Sequence, residues 1–382
     1  MSIYLDSNAT TQVHTEVVEA MLPFLTSHFH NPSSGYGAGQ AVKAAIATAR
    51  EQVASLIGAS PSEIVFTGCG TESNNMAIKS LAREIGRANS KVVVSEIEHS
   101  AVLRPTEAMA AVGFEVQRVG VKEDGRLDLD ALEEAIDNTC PGFLSLMWAN
   151  NETGVIQPVA EAAAAALKAG WFVHTDAIQA VGKIPVNVKD APVDFLSISG
   201  HKFHAPKGVG VLYIREDTPF EPMIRGGGQE DGRRSGTENV AYIAGLGKAA
   251  EIMESELKNG GIAAVGALRD QLEKILCDRL KGVHLNGSRE HRTTNVAHVS
   301  FDGCVASQML PKLDAAGVQC SAGSACMTGK SKPSHVQKAM GFSDERAFSS
   351  LRLSLSIFST EDEVKQAAEK IVAVVNEVRG LN

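Results

Sequence analysis

No two of the six cysteines (Cys69, Cys140, Cys277, Cys304, Cys320 and Cys326) form a CxxC pair. Scattered cysteines argue against a disulfide framework or a zinc site, and for a reducing compartment such as the cytoplasm. Cys320 and Cys326 with His335 match no strong metal-ligand spacing, so no metal is expected. Basic charge is not in excess either. The 36 Lys and Arg against 45 Asp and Glu leave a net charge of -9, which argues against nucleic-acid or anionic-membrane binding. Apolar stretches are short and broken by polar residues, so no transmembrane helix is expected. The start, MSIYLDSNATT, has no basic region followed by an apolar run, so no signal peptide is expected. There is no internal repeat and no low-complexity segment.

What is present is alternation. A short strand is expected at Ile3 to Leu5. β-like runs follow at Ile64 to Thr67, Val92 to Ser95, Phe114 to Val119, Phe143 to Trp148, Phe172 to Thr175, Phe195 to Ile198 and Val209 to Ile214. Helical patterns precede or separate several of them: Gly39 to Ile57, Glu72 to Ile85, Val102 to Val112, Leu129 to Ile136 and Val159 to Ala169. The runs are apolar throughout rather than alternating. That pattern means a mostly parallel sheet covered on both faces, an α/β fold. Ala241 to Leu280 reads as one long helical stretch. Beyond it, strands at Asn295 to Phe301, Gln319 to Ser321 and Arg352 to Phe358 and helices at Val305 to Ala315 and Glu361 to Val378 suggest a smaller α+β domain. The expected division is a large domain over residues 15–255 and a small one from residues 1–14 and 256–382.

Ligands of such sheets bind beyond the carboxyl ends of the strands, and those ends carry the chemistry. Gly68-Cys69-Gly70-Thr71 opens a helix, as a phosphate cradle, a plain cap or a dinucleotide turn would. His99 follows the next strand, where it could stack on a ring, move protons or simply pack. Asn150-Asn151-Glu152 and Thr175-Asp176-Ala177 end two more. An Asp at a buried strand end needs a cation, an N–H partner or a helix to cap. Ser199-Gly200-His201-Lys202 lies between two buried runs, where desolvation would lower a lysine's pKa and free its amine for Schiff-base chemistry. A hydroxyl cradle, a stacking His, an acid and such a lysine are together the set that pyridoxal 5'-phosphate requires.

These residues carry a resemblance. With Asp6-Ser7-Asn8-Ala9-Thr10-Thr11, Thr71-Glu72-Ser73-Asn74-Asn75, Arg234-Ser235-Gly236-Thr237 and Ser324-Ala325-Cys326, the chain resembles the cysteine desulfurases of the NifS/IscS type. These lie in the class V aminotransferase group of fold-type I pyridoxal-phosphate enzymes. The resemblance implies a seven-stranded sheet in a large domain, a homodimer, and L-cysteine as substrate. It makes Lys202 the cofactor lysine and Asp176 the partner of the pyridine nitrogen. His99 would stack on the ring and serve catalysis. Asn151 and Gln179 would hold the phenolic edge, Asn151 also facing substrate. Gly70, Thr71, Ser199 and His201 would take the phosphate, joined by Thr237 from a second subunit. Arg352 would clamp the substrate carboxylate.

Cys326 would be the nucleophile that receives sulfur as a persulfide. It would pass the sulfur to an acceptor such as an iron–sulfur scaffold protein. Residues 321 to 335, rich in Gly and Ser, have the composition of a moving carrier loop. Cys69 reads as a packing residue, as do the remaining cysteines. Two departures stand out. Tyr36 occupies a place where the family usually has His, and the chain ends soon after its last helix, where IscS-type members carry a longer scaffold-docking tail. Other readings are a selenocysteine lyase, which could work without Cys326, and a sulfur-carrier subunit, which would not need Lys202, Asp176 and Arg352.

Overall fold

The computed structural model describes residues 2–323 and 332–380. Its strands in chain order are β1 (Ile3–Tyr4), β2 (Ile64–Thr67), β3 (Lys91–Ser95), β4 (Glu115–Val119), β5 (Gly142–Ser145), β6 (Phe172–Asp176), β7 (Phe195–Ser199), β8 (Gly210–Ile214), β9 (Val283–Leu285), β10 (Val296–Phe301), β11 (Val318–Gln319) and β12 (Ser350–Ser354). The main helices are α1 (Thr15–Leu25), α2 (Gly37–Ile57), α3 (Gly70–Ile85), α4 (Ser100–Ala111), α5 (Leu129–Ala135), α6 (Val159–Lys168), α7 (Val240–Lys258), α8 (Gly261–Arg279), α9 (Ala306–Ala315), α10 (His335–Ala339), α11 (Asp344–Phe348) and α12 (Glu361–Val378).

Seven strands form one sheet in the order β2-β8-β7-β6-β5-β3-β4. Only β8 runs against the others. Every residue of β2, β7 and β8 is buried, which explains their unbroken apolar reading. Each Phe, Leu or Ile so enclosed contributes about 1.5–3 kcal/mol. One apolar core joins one side of the sheet to α1, α2, α6 and α7, and a second lies beneath α3 and α4. A third gathers Ile3 and Leu5 with α8, α9, α12 and the antiparallel sheet β12-β10-β9.

The expected seven-stranded, mostly parallel sheet is therefore present, with four local corrections. The stretch from Ala241 to Leu280 is two helices, broken where Gly260 turns left-handed at φ +86°. The Phe143 strand loses its β3 pairing after Ser145, although the Leu146 and Trp148 N–H groups still reach β6 carbonyls. The Arg352 strand starts at Ser350 and stops at Ser354, because the Ser356 hydroxyl then accepts from the Phe358 N–H in a turn. Finally, α1 has no counterpart in the sequence pattern. Val17 and Met21 face the core while Val18, Leu22 and Leu25 stay exposed, so it is apolar on more than one side and shows no clean period.

α2 lies against α7 at a point where only glycine fits. A Cβ on Gly247 would stand 2.5 Å from the Cα of Ala49. Gly266 in α8 has room, its nearest atom being the Thr294 Cβ at 3.5 Å. Gly247→Ala should therefore lose about 1–3 kcal/mol through overpacking. Gly266→Ala should be neutral or gain up to about 1 kcal/mol. Urea denaturation of both variants checks the contrast, and equal behaviour would contradict the packing described.

Candidate active site

Parallel strands bring their carboxyl ends to one edge, and there a cavity of about 290 Å³ opens. Gly70, Thr71, His99, Asn151, Asp176, Gln179, Ser199, His201, Lys202 and Arg352 all line it. They come from β6, β7, β12, the starts of α3 and α4, and the loops between.

Lys202 sits in a tight turn after β7, and Gly208, at φ +90°, leads the chain back into β8. Its Nζ donates to the carbonyls of Asn8 and Ala9, both at 2.8 Å. Burial, and then the nearby Arg352 charge, lower its pKa to about 8, against the pull of Asp176 and Asp6. Asp176 ends β6 and is only 4% exposed. Its Oδ2 accepts from Asn74 Nδ2 at 2.7 Å and its Oδ1 from the Ile178 N–H at 3.0 Å. Burial pushes its pKa up, and the neighbouring His99 is the largest opposing influence.

His99 caps α4, its Nδ1 accepting from the Ala101 N–H at 3.1 Å. The ring proton therefore sits on Nε2. His201 Nδ1 meets Thr10 Oγ1 at 3.1 Å, and burial holds its pKa down at about 4, so this imidazole is neutral. Arg352 lies on β12, donating to the Asn151 carbonyl at 3.0 Å and to Asp6 Oδ1 at 2.8 Å. Its Nε is buried and has no partner among the described residues.

Thr237 does not line this cavity. It faces a separate one of about 180 Å³ with Gly68, Arg234 and Asn239. Arg234 Nε reaches Glu72 Oε1 at 2.9 Å and so ties the Thr237 loop to the first turn of α3. Cys326 and most of the loop that carries it lie outside the described residues. Cys69 is not a packing residue. Its side chain is exposed and lines the mouth of the cavity, while its backbone caps α3. Cys320 is enclosed, and burial pushes its thiol up to about 12.

The class-V aminotransferase family model matches residues 3–367. The chain belongs to the class-V aminotransferase family. The cysteine desulfurase NifS of Azotobacter vinelandii is 43% identical to it over 385 residues, covering 100% of this chain and 94% of that protein. A solved NifS-like protein superposes with a TM-score of 0.92 at 37% identity, covering 99% of this chain and 100% of that one. A solved SspA in complex with cysteine gives 0.82 at 34%, covering 94% and 100%.

Pyridoxal 5'-phosphate is the cofactor of this class-V enzyme. The residues fit it. The buried Asp176 carboxylate accepts from an amide and a backbone N–H and has no ion-pair partner among the described residues, which leaves it for a ring-nitrogen proton. No side chain caps the first turn of α3 among the described residues, so its free N–H groups can receive a phosphate. A Cβ on Gly70 would run into Ile178 and fill the approach to that turn.

Three residues here escape sequence reasoning. Asn8 places its carbonyl on Lys202 and its Oδ1 on Lys183, and Asp6 pairs with Arg352. Both lie in the Asp6 to Thr11 motif, which announces no role for either. Lys183 is a second buried lysine, 6% exposed, and it gives no signal beyond lying four residues after Gln179.

The pKa causes give a signed expectation. In the apo-protein, amine labelling of Lys202 read by mass spectrometry should show a midpoint near pH 8. Arg352→Leu removes a like charge and should raise that midpoint, while Asp176→Asn removes an opposite charge and should lower it. A midpoint near the ordinary lysine value in all three proteins would contradict the desolvated site.

Proposed function

We infer that the chain is a cysteine desulfurase, taking sulfur from L-cysteine and leaving L-alanine. The observation that carries this is the meeting in one cavity of Asp176 from the end of β6, Lys202 from the turn after β7 and Arg352 from the middle of β12. The relatives named above support it.

The bound cofactor supplies an electron sink for the pair left when the substrate α-proton departs. The protein's residues do the rest. Lys202 holds the cofactor and, once released by substrate, takes the α-proton; a pKa near 8 suits a base at neutral pH. Asp176 keeps a proton on the ring nitrogen. His99, with its Nε2 proton, would lie against the cofactor ring, placed to pass a proton to or from the substrate. Gly70, Thr71, Ser199 and the neutral His201 would bind the phosphate, while Asn151 and Gln179 would hold the phenolic oxygen. Arg352 grips the substrate carboxylate through Nη N–H groups beyond those given to Asn151 and Asp6. Cys326 thiolate attacks the substrate sulfur. The Cβ–S bond breaks, its electron pair stays on carbon to be protonated, and the sulfur remains on Cys326 as a persulfide.

Three further readings belong to this proposal. The chain works as a homodimer in which Thr237 completes the phosphate site of the second copy. Its place outside its own chain's cavity supports this, as do the exposed apolar residues Val18, Leu22, Leu25 and Phe29. The persulfide passes to an acceptor protein such as an iron–sulfur scaffold in the cytoplasm, where free cysteines stay reduced. The proposed division runs between a large domain of residues 15–255 and a small one of 1–14 with 256–382. The separate apolar core joining Ile3 and Leu5 to α8, α9 and α12 supports it.

With L-cysteine, the protein should yield alanine and a cyanolysable persulfide on Cys326. Cys326→Ser should keep the cofactor and lose the persulfide, and Lys202→Ala should lose the borohydride-fixed adduct. Arg352→Leu should lower kcat/KM by about 100-fold, the scale of losing one partner of a desolvated charge pair. Alanine formed from selenocysteine alone, with no persulfide from cysteine, would replace this reading with a selenocysteine lyase.

A further inference from the structure

Lys183 lies beside the cavity with no carboxylate among its hydrogen-bond partners in the described residues. Its ammonium donates to two amide oxygens, Asn8 Oδ1 at 2.9 Å and Gln179 Oε1. Asn8 Oδ1 is fixed in turn by Asn295 Nδ2 at 2.9 Å. Ala180 and Val181 N–H groups both bond to the Ala177 carbonyl, forming a turn that sets Gln179 and Lys183 on one side at i and i+4. Gly182 then takes φ +78°, where a Cβ would strike Phe203 at 2.8 Å. Such an enclosed ammonium is costly, and burial drives its pKa well below the usual lysine value.

A primary amide has nearly the same shape in two orientations, and only its partners decide between them. At Gln179 the partners are decisive. The Asn8 carbonyl beside Nε2 can only accept, and Nζ, which donates to Asn8 Oδ1, donates to Oε1 as well. Nε2 then donates to the Asn8 carbonyl at 3.0 Å. Flipped, the amide would set acceptor against acceptor at Asn8, and donor against donor wherever the Lys183 amine is protonated. The observed orientation leaves the second Nε2 hydrogen for the cavity that Gln179 lines.

We propose that Lys183 is a positioning residue for the reaction: it locks the Gln179 amide with its –NH2 group toward the cofactor's ring oxygen. The proposal rests on the reading that Gln179 touches that oxygen. Without Lys183 the amide loses the donor that holds Oε1 away from the cavity, and the Asn8 carbonyl alone is left to set its orientation.

A double-mutant cycle tests this. Pyridoxal-phosphate affinity is measured by fluorescence titration of the apo-protein for the parent, Lys183→Met, Gln179→Ala and the double variant. The pH midpoint of the bound cofactor's visible absorbance is recorded alongside. Each single change should weaken binding about tenfold, the scale of one buried hydrogen bond. The double variant should bind within about twofold of Gln179→Ala, because Lys183 then has nothing to orient. The absorbance midpoint should move in the same direction in both single variants, which general loosening of the fold would not produce. Unchanged binding in Lys183→Met, or a tenfold loss that persists in the Gln179→Ala background, overturns the role of Lys183 alone. A Gln179→Ala protein with unaltered affinity and absorbance overturns the reading of Gln179 and the proposal with it. Should Lys183→Met not fold, Lys183→Gln, a neutral side chain whose own amide can turn either way, enters the same cycle. It should weaken binding about three- to tenfold in the parent and by less than about twofold beside Gln179→Ala. Equal effects of Lys183→Gln in the two backgrounds overturn the proposal.

Discussion

Lys202, Lys183 and Arg352 are enclosed in one small region, with Asp176 and Asp6 as the carboxylates near them. Burying cations without equal anions is expensive. Here much of the solvation is returned by carbonyl oxygens: Asn8 and Ala9 to Lys202, the Asn8 side chain to Lys183, and Asn151 to Arg352. Carbonyl dipoles satisfy N–H donors without cancelling net charge, so the site keeps a positive field. An anionic phosphate and a substrate carboxylate are the groups such a field favours. Burial is the first cause of the lowered Lys202 pKa and the Arg352 charge the second, so the charge that favours anions also helps to free the amine.

That arrangement depends on the N-terminal segment. β1 pairs with β11, and the Ser7 N–H bonds to the Ser354 carbonyl. Four residues on, the Thr11 N–H bonds to the His201 carbonyl, and Thr11 Oγ1 accepts from the His204 N–H. The segment is thus held at one end by β12 and at the other by the turn that presents Lys202. Arg352 and Lys202 are far apart in the chain, yet their spacing is set by these few residues. Asn8, midway, touches both lysines and Asn151.

This division of labour explains what is legible in the sequence and what is hidden. Strands buried on both faces leave continuous apolar runs, so the sheet and its ends are legible, and with them Asp176, Ser199 and Lys202. α1 is hidden because Val18, Leu22 and Leu25 blur its polar face. The break lies at Asn259-Gly260-Gly261, a turn signal that the helix-forming residues on either side mask. Asn8 and Lys183 are hidden for another reason. Each is a polar residue whose role comes from a partner distant in the chain, as with Lys183 and Asn8 or Asn8 and Asn295. No local period or spacing announces such a pair.

Asp6 shows how one carboxylate can serve two parts of the chemistry. Its Oδ1 holds Arg352 Nη2, and its Oδ2 accepts from Ser321 Oγ at 2.7 Å. A guanidinium has five N–H donors. Asn151 takes one from Nη1 and Asp6 one from Nη2, which leaves each Nη a further N–H, while the Nε–H is buried. In the proposed reading a substrate carboxylate can therefore be received without displacing Asp6. The clamp is held in place before substrate arrives, so little ordering cost is left to binding. Ser321 begins the stretch that leads to Cys326, so the carboxylate that orients the clamp also anchors the start of that stretch. In the proposed reading, the substrate's carboxylate and the start of the segment that bears Cys326 are thereby referred to a single fixed group.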